Sequence, residues 1–544
     1  MVVYRFPPLC YPKLPITDVL RTTAKRLPNK HAIVYPEKIT FKELWNNIDR
    51  FAAALADLGV KKGDKVAIFE GNNPEFPVAL QGILEVGGVA VSVNPMSKER
   101  ELEYEVNDSE ASTLVVRDEL FPVVKKTLPK MPRLRRIIVI GEEKKETYSF
   151  SGLLEKYPPE PPKVDINHKD HALILYSSGT TGLPKGCVYT HYAHNASYIQ
   201  CTWAGWEKGE NDIVMAFLPY YHIYGMVCIL NSSLYTGASQ VLMKRFQIQE
   251  MCKLIQEHKV TLVPLVPPIM VTLVKKPELL TKYDWSSVRT VGISAAPTPM
   301  PVMKKFQKIT GIKVMHFSGL TEGAPFSANP FYKMKVKSAG IPMPDTRIKV
   351  LDLETDKELP IGEKGEMVFK GPQVMEGYWK KPQITEETFI TFDGERWVRT
   401  GDIGYMDEEG YVYFVDRKKE VIKYKGYSVA PAEVESVVIG HPAVRECAVV
   451  GKPDEIAGEI PKAYIMLKKG VTATEEDIIE FVNKRISSYK RIREVEFVDY
   501  IPKTASGKIL RRSFKEREQK RHGSKDPTEK NTQLYDKETS RTYE

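Results

Sequence analysis

The chain is poor in cysteine. Six thiols in 544 residues, at positions 10, 187, 201, 228, 252 and 447, form no Cys-x-x-Cys pair. That scarcity argues against a disulfide framework and for reduced thiols in a cytoplasm. No run of eighteen apolar residues occurs, so no transmembrane helix is expected. The start, Met1-Val-Val-Tyr-Arg-Phe-Pro-Pro, lacks the long apolar core of a secretory leader. The final Arg541-Thr-Tyr-Glu544 is not a Ser-Lys-Leu peroxisomal address. His168/His171 and His191/His194 are spaced by three without a partner cluster, so no metal site is expected there. The net charge is a mild +9, and no dense basic stripe interleaves with aromatics. Nucleic acid is therefore not an expected partner, whereas polyanionic small molecules are.

What is present is ordinary for a globular protein: 42% hydrophobic and 27% charged residues. At this length one compact core does not suffice, so two or more domains are expected. Residues 50–118 alternate helix, strand, helix, strand. Phe51 to Gly59 reads as a helix, Lys65–Phe69 as a strand, Phe76–Val86 as an apolar helix and Val89–Val93 as a strand. The alternation recurs over 211–270, with a strand from Val260. The fold class implied is α/β, with mostly parallel sheets flanked by helices. A large domain is expected over 1–416, a hinge at 417–419 and a small α/β lid domain over 420–515. The polar residues 516–544 are expected to be a disordered tail.

The most informative segment is Tyr176-Ser-Ser-Gly-Thr-Thr-Gly-Leu-Pro-Lys185-Gly186. Its small residues let the backbone close around an anion. Ser177, Ser178, Thr180 and Thr181 supply hydroxyls, Gly179 supplies room, and Lys185 supplies charge. The apolar run Ala172–Tyr176 before it reads as a buried strand. It is no Walker A loop, because the Gly-Lys-Ser/Thr ending is missing.

Further segments follow in order: Ile39-Thr-Phe-Lys-Glu-Leu44, Gly63-Asp-Lys-Val-Ala67, Leu218-Pro-Tyr-Tyr-His222 and Gly319-Leu-Thr-Glu322. Then come Arg399-Thr-Gly-Asp402, Asp416-Arg417, Lys423-Tyr-Lys-Gly426 and Pro502-Lys-Thr-Ala-Ser-Gly-Lys508. In order and spacing the chain, over roughly residues 15–515, resembles the adenylate-forming superfamily of acyl- and aryl-CoA synthetases, 4-coumarate–CoA ligases, beetle luciferases and peptide-synthetase adenylation domains.

The resemblance implies two steps. A carboxylate attacks the α-phosphorus of ATP, giving an acyl-adenylate and diphosphate. A thiol, usually of coenzyme A, then takes the acyl group and releases AMP. Alignment of reactants and neutralisation of negative charge would be the protein's main contributions. By this resemblance the 177–185 loop would hold the β- and γ-phosphates, and Thr181 and Glu322 would bear on Mg²⁺, a hard ion suited to oxygen ligands. Thr321 would touch the α-phosphate and Ala295 would lie against adenine. Asp402 would accept from both ribose hydroxyls, with Arg417 beside it. Lys508 would be the mobile lysine of adenylation; a cation at about 4 Å is worth roughly 4 kcal/mol at an effective dielectric near 20. Lys419 would be the hinge about which the small domain rotates between half-reactions, presenting Lys423, Lys425 and Gly426 to the thiol. Arg245 and Lys425 match coenzyme A positions. His222 would line the carboxylate pocket, and Tyr224, Gly225, Met226 and Gly319 would shape the acyl pocket. Acetate-specific relatives carry tryptophan at the position of Gly319, so glycine implies an acid larger than acetate.

One departure stands out. The residue before Gly-Leu-Thr-Glu, usually a tyrosine that stacks on adenine, is Ser318. Either Phe317 or another ring replaces it, or ATP binds more weakly; a base stack is worth about 1–3 kcal/mol. The implied activity is an AMP-forming acyl-CoA synthetase using ATP, Mg²⁺ and coenzyme A. Two alternatives stay open: an acyl-adenylate ligase loading a carrier protein, and a noncatalytic nucleotide-binding regulator. A homo-oligomer is compatible with each.

Overall fold

The computed structural model describes residues 4–177, 184–294, 298, 300–335, 337–392, 394–424, 427–454, 457–486, 488–503 and 509–523, the side chains of Lys419, Tyr427 and Ser428 excepted. The chain forms two compact units that divide between Phe414 and Val415, inside the strand Val412–Arg417.

In the large unit, short apolar strands pair in parallel, and the amphipathic helices between them cover both faces. Lys65–Phe69 and Val89–Val93 form as the alternation predicts, and they lie side by side in register. They belong to an eight-stranded sheet, parallel through Tyr148–Ser149, Arg136–Ile140, Thr113–Arg117, Lys65–Phe69, Val89–Val93 and His171–Ser177. Beyond that it ends antiparallel, with Lys185–Thr190 and then Gly377–Tyr378. A nine-stranded sheet has a parallel centre and an antiparallel edge made by Lys313–Leu320, Gly323–Ala328 and Ile341–Pro342. A third sheet is antiparallel, built on Arg347–Leu351, Gly365–Lys370, Glu395–Met406 and Phe389–Phe392.

One helix shows how local chemistry sets the layers. Phe41–Asp57 starts ten residues earlier than its apolar run suggests. Thr40 Oγ1 accepts from the Glu43 amide at 3.1 Å, and the Glu43 carboxylate accepts from the Thr40 amide at 2.8 Å. That reciprocal cap satisfies two orphan donors. Phe41, Leu44, Ile48, Phe51 and Leu55 then form one buried stripe. The stripe packs on Glu75–Glu85, where Gly82 permits close approach: a Cβ there would lie 2.7 Å from the Phe51 ring.

The small unit carries Ile422–Tyr424, Tyr427–Val429, Val444–Asp454, Gly458–Leu467 and Glu494–Phe497 in one sheet. Helices Pro431–Val438 and Glu475–Asn483 bury Val434, Val438, Ile478 and Val482 on it. Residues 516–523, expected to be disordered, instead continue the helix Arg511–Gly523. The reason is a buried charge pair invisible to composition. Glu518 is 1% exposed and accepts from Lys462 Nζ at 3.0 Å and from the Tyr464 hydroxyl, while Phe514 stacks on Tyr464 at 4.1 Å.

No helix among the described residues is long and apolar enough to cross a membrane. All six cysteines are free; Cys10 is exposed and the other five are buried.

Candidate functional site

The segment expected to bind an anion connects two strands of a β-hairpin. His171–Ser177 runs antiparallel to Lys185–Thr190 with Ser177 opposite Lys185, and the Ser177 hydroxyl donates to the Lys185 carbonyl at 3.4 Å. Ser178, Gly179, Thr180 and Thr181, like Ala295, Lys425, Gly426 and Lys508, lie outside the described residues.

Lys185 and Glu322 meet at one phenol. The Tyr378 hydroxyl donates to Glu322 Oε1 at 2.6 Å, and Lys185 Nζ lies 4.4 Å from the centre of the same ring. Burial, and then the charge of Glu322, pushes the Tyr378 phenol far above its ordinary range, so it remains a donor. Tyr378 reaches this place because the short strand Gly377–Tyr378 pairs with Cys187 and Val188.

Glu322 sits with Thr321 in the two-residue turn between Lys313–Leu320 and Gly323–Ala328. That turn is held from two sides. The Tyr189 hydroxyl donates to the Thr321 carbonyl at 2.8 Å, and the Met375 amide donates to the Glu322 carbonyl at 3.0 Å. Strand alternation places Lys185, Cys187 and Tyr189 on one face, and burial together with Glu322 raises the Cys187 thiol. Thus Lys185 and the adjacent pair Thr321 and Glu322, far from it in sequence, belong to one cluster. Tyr378 and Tyr189 complete it and escaped sequence reasoning, since a lone tyrosine in a strand carries no distinguishing pattern.

The Leu218–His222 segment forms a turn capped by its own histidine. His222 Nδ1 accepts from the Tyr224 amide at 3.2 Å, which places the neutral ring's proton on Nε2, and the imidazole is exposed. Tyr224 is 8% exposed and donates to the Gly292 carbonyl at 3.3 Å, and Met226 is fully buried. Gly225 is packed against backbone: a Cβ there would lie 2.1 Å from the Pro219 carbonyl oxygen, so the position requires glycine. Gly319 is similarly constrained: a Cβ would stand 2.9 Å from the Ala324 Cβ.

Phe317 does not supply the ring missing at Ser318. It is 5% exposed and stacks on Trp206 at 5.2 Å, pointing into the core, whereas Ser318 pairs with Ser327 on the opposite face of the strand.

Asp402 is 6% exposed and sits where the pairing of Glu395–Met406 with Gly365–Lys370 slips register. Gly401 takes φ +66° there, the Asp402 amide donates to Thr400 Oγ1 at 2.9 Å, and Thr400 Oγ1 donates to the Met367 carbonyl at 2.6 Å. Bulges of this kind re-aim a side chain out of the ladder. Arg245 is strongly exposed and pairs with Glu119 at 2.7 Å.

In the small unit, Arg417 is half-buried and its amide donates to Asp416 Oδ1 at 2.7 Å. Burial lifts Asp416 to about 6, although nearby Arg511 and the amide donors pull it down. Lys423 is exposed on Ile422–Tyr424, and its amide donates to Glu459 Oε2 at 2.9 Å. The backbone of Lys419 lies in the short 3₁₀ turn Lys418–Glu420.

Comparison with known proteins identifies the family. Residues 20–379 match the family model described as AMP-binding enzyme, and residues 433–508 match the AMP-binding enzyme C-terminal domain. The chain is similar to a long-chain-fatty-acid–CoA ligase of Bacillus subtilis (strain 168), at 36% identity over 94% of this chain and 96% of that protein. It is similar to 4-coumarate–CoA ligase 1 of Petroselinum crispum, at 36% identity over 88% and 89%. Among solved structures it resembles the anthranilate CoA ligase AuaEII in complex with anthranoyl-AMP, with a TM-score of 0.86 and 29% identity over 94% of this chain and 98% of that one.

Proposed function

The chain belongs to the AMP-binding enzymes of the adenylate-forming superfamily, and from that premise we propose that it is an AMP-forming ligase joining a carboxylic acid larger than acetate to coenzyme A. The observation that carries this reading is the Lys185–Tyr378–Glu322 cluster beside the glycine-rich segment. It sets a cation and a carboxylate on one rigid phenol, the pair of charges needed to hold a triphosphate and its counter-ion.

In the first step an acid oxygen attacks the α-phosphorus, the bond from that phosphorus to the bridging oxygen breaks, and diphosphate leaves. In the second step the thiol sulfur attacks the acyl carbon and AMP departs with the electron pair. Lys185 offsets phosphate charge. His222, exposed at its turn, meets the incoming acid. Asp402 and Arg417 receive the ribose, and Thr321 faces the α-phosphate. Lys508 stabilises the first transition state, whereas Lys423 and Gly426 serve the second, with Arg245 and Lys425 toward coenzyme A and Lys419 as the pivot.

The residues present fit a hard divalent cation. Glu322 is half-buried, and only its Oε1 accepts a hydrogen bond among the described residues. Its second oxygen, with the Thr181 hydroxyl, would hold Mg²⁺, which would supply charge neutralisation at the phosphates.

The test is a panel of aliphatic, hydroxy and aryl acids with ATP, Mg²⁺ and coenzyme A, reading diphosphate and thioester together. Acid-dependent diphosphate and thioester in equal amounts are expected. Diphosphate without thioester would replace this reading by a carrier-loading ligase. No acid-dependent diphosphate with any acid would leave a nucleotide binder.

A further inference from the structure

The helix Glu99–Ser109 looks like a charged surface helix in sequence, Glu-Arg-Glu-Leu-Glu-Tyr-Glu-Val-Asn-Asp-Ser. One turn of it nevertheless touches both strands of the Lys185 hairpin and the segment that carries Tyr378. The Tyr104 hydroxyl donates to the Pro184 carbonyl at 3.0 Å, directly before Lys185. The Tyr176 hydroxyl, at the end of the partner strand, donates to Asp108 Oδ2 at 2.8 Å and to the Glu105 carbonyl at 3.2 Å. The two phenol rings meet edge to face, 6.4 Å apart.

The same turn holds the third segment. Trp379 Nε1 donates to the Asp108 carbonyl at 3.0 Å, and Lys381 Nζ pairs with Asp108 Oδ1 at 3.0 Å. Trp379 directly follows Tyr378, and its amide donates to the Gly186 carbonyl at 2.8 Å. Both hairpin strands and the Tyr378 segment are therefore fastened to Tyr104 and Asp108. Asp108 is 13% exposed, and its two oxygens take one donor from each side.

We propose that Tyr104 and Asp108 are positioning residues for nucleotide binding: together they hold the hairpin ends and the Tyr378 segment so that Lys185 and Glu322 keep their spacing. Neither residue contacts Lys185 or Glu322 through its side chain; each acts through Pro184, Tyr176 or the 379–381 segment. The proposal rests on the nucleotide role given above to Lys185 and Glu322. It accounts for a half-buried polar cluster that no step of the reaction uses. It also implies that ATP and acid recognition separate, because the His222 turn is built on other strands.

The test uses the full-length protein and the conservative variants Tyr104→Phe and Asp108→Asn. The readouts are Kd for ATP with Mg²⁺ by calorimetry, KM for ATP and for the acid in diphosphate release, and Tm without ligand. Each variant is expected to weaken ATP about fivefold to tenfold, the effect of one hydrogen bond lost. KM for the acid should change less than twofold. A lowered Tm with an intact Kd for ATP would overturn the proposal and leave a purely structural cluster. Equal losses for ATP and acid would also overturn it. Because the Kd for ATP needs no reaction, it tests the positioning role even if the panel of acids yields no product. A parent protein with no measurable ATP affinity would refute the underlying nucleotide role instead. Should Tyr104→Phe fail to fold, Asp108→Asn, which keeps the shape and one acceptor, decides by the same criteria.

Discussion

Glu105 is a carboxylic acid held neutral inside the large unit, and Glu105→Gln should expose it. The residue is 5% exposed and its Oε2 is buried without a hydrogen-bond partner. Burial above all, then the neighbouring charges of Glu101 and Asp108, raises it from 4.5 to about 8. The Tyr176 phenol also lies beside it, and Lys381 is engaged by Asp108. The sign follows from proton linkage. Between about pH 4.5 and 8 the unfolded chain has lost this proton while the folded chain keeps it, so stability falls as pH rises. The slope approaches roughly 1.4 kcal/mol per pH unit inside that window. Glutamine keeps the shape and has no proton to lose, so its own cost is constant with pH and cancels in the comparison. From pH 5 to 7.5 the parent should lose roughly 3 kcal/mol relative to Glu105→Gln, about 3–4 °C for a unit of this size. Thermal unfolding of both proteins at fixed ionic strength across pH 5, 6.5 and 8 measures this. If the two Tm curves run parallel, the folded protein ionises Glu105 normally and the reasoning fails.

Replacing Lys508 by Ala should cut adenylation by a hundredfold or more, since roughly 4 kcal/mol of charge stabilisation is at stake. Thioester formation from a preformed acyl-adenylate should survive, and an equal loss in both half-reactions would defeat that division of labour. Lys423→Ala should do the opposite, letting adenylate accumulate in single-turnover experiments while thioester lags. Gly319→Ala should lower stability by about 1–3 kcal/mol, the usual cost of overpacking, because its Cβ would meet Ala324 at 2.9 Å; denaturant melts check this, and an unchanged midpoint would mean that the hairpin gives way freely. Read in this light, an altered acid preference in Gly319→Trp would report a shifted hairpin as well as a filled pocket.

Local and periodic signals were the legible ones. The strands at 65–69 and 89–93 are apolar, short and bounded by glycine, and they form where alternation puts them. The hairpin strand before the glycine-rich segment was visible for the same reason. Long-range polar contacts were not legible. Tyr378 finds Glu322 across 56 positions, and Glu518 finds Lys462 across 56 others, with no spacing in the chain to announce either. The helix Glu99–Ser109 misleads for a related reason. Its glutamates suggest water on all sides, yet Glu105 and Asp108 face strands that arrive later in the chain. At Gly225 and Gly319, the glycines expected in the acyl pocket, the sequence did not announce the close packing around them. Space beside a glycine is taken by backbone at one and by a methyl group at the other.

The hairpin around the glycine-rich segment has an electrostatic consequence. In loops that run from a strand straight into a helix, phosphates rest on the helix N-terminus and draw on a partial positive charge of about half a unit from aligned peptides. Here the chain leaves the segment as the strand Lys185–Thr190, and strand dipoles largely cancel. In the proposed site the attractive field would draw less on a helix end and more on the Lys185 ammonium and the cation proposed at Glu322, beside the backbone amides of the glycine-rich segment. Such a field is easily diluted by electrolyte. Nucleotide affinity in this protein should therefore fall more steeply with added salt than in an enzyme whose phosphates sit on a helix end.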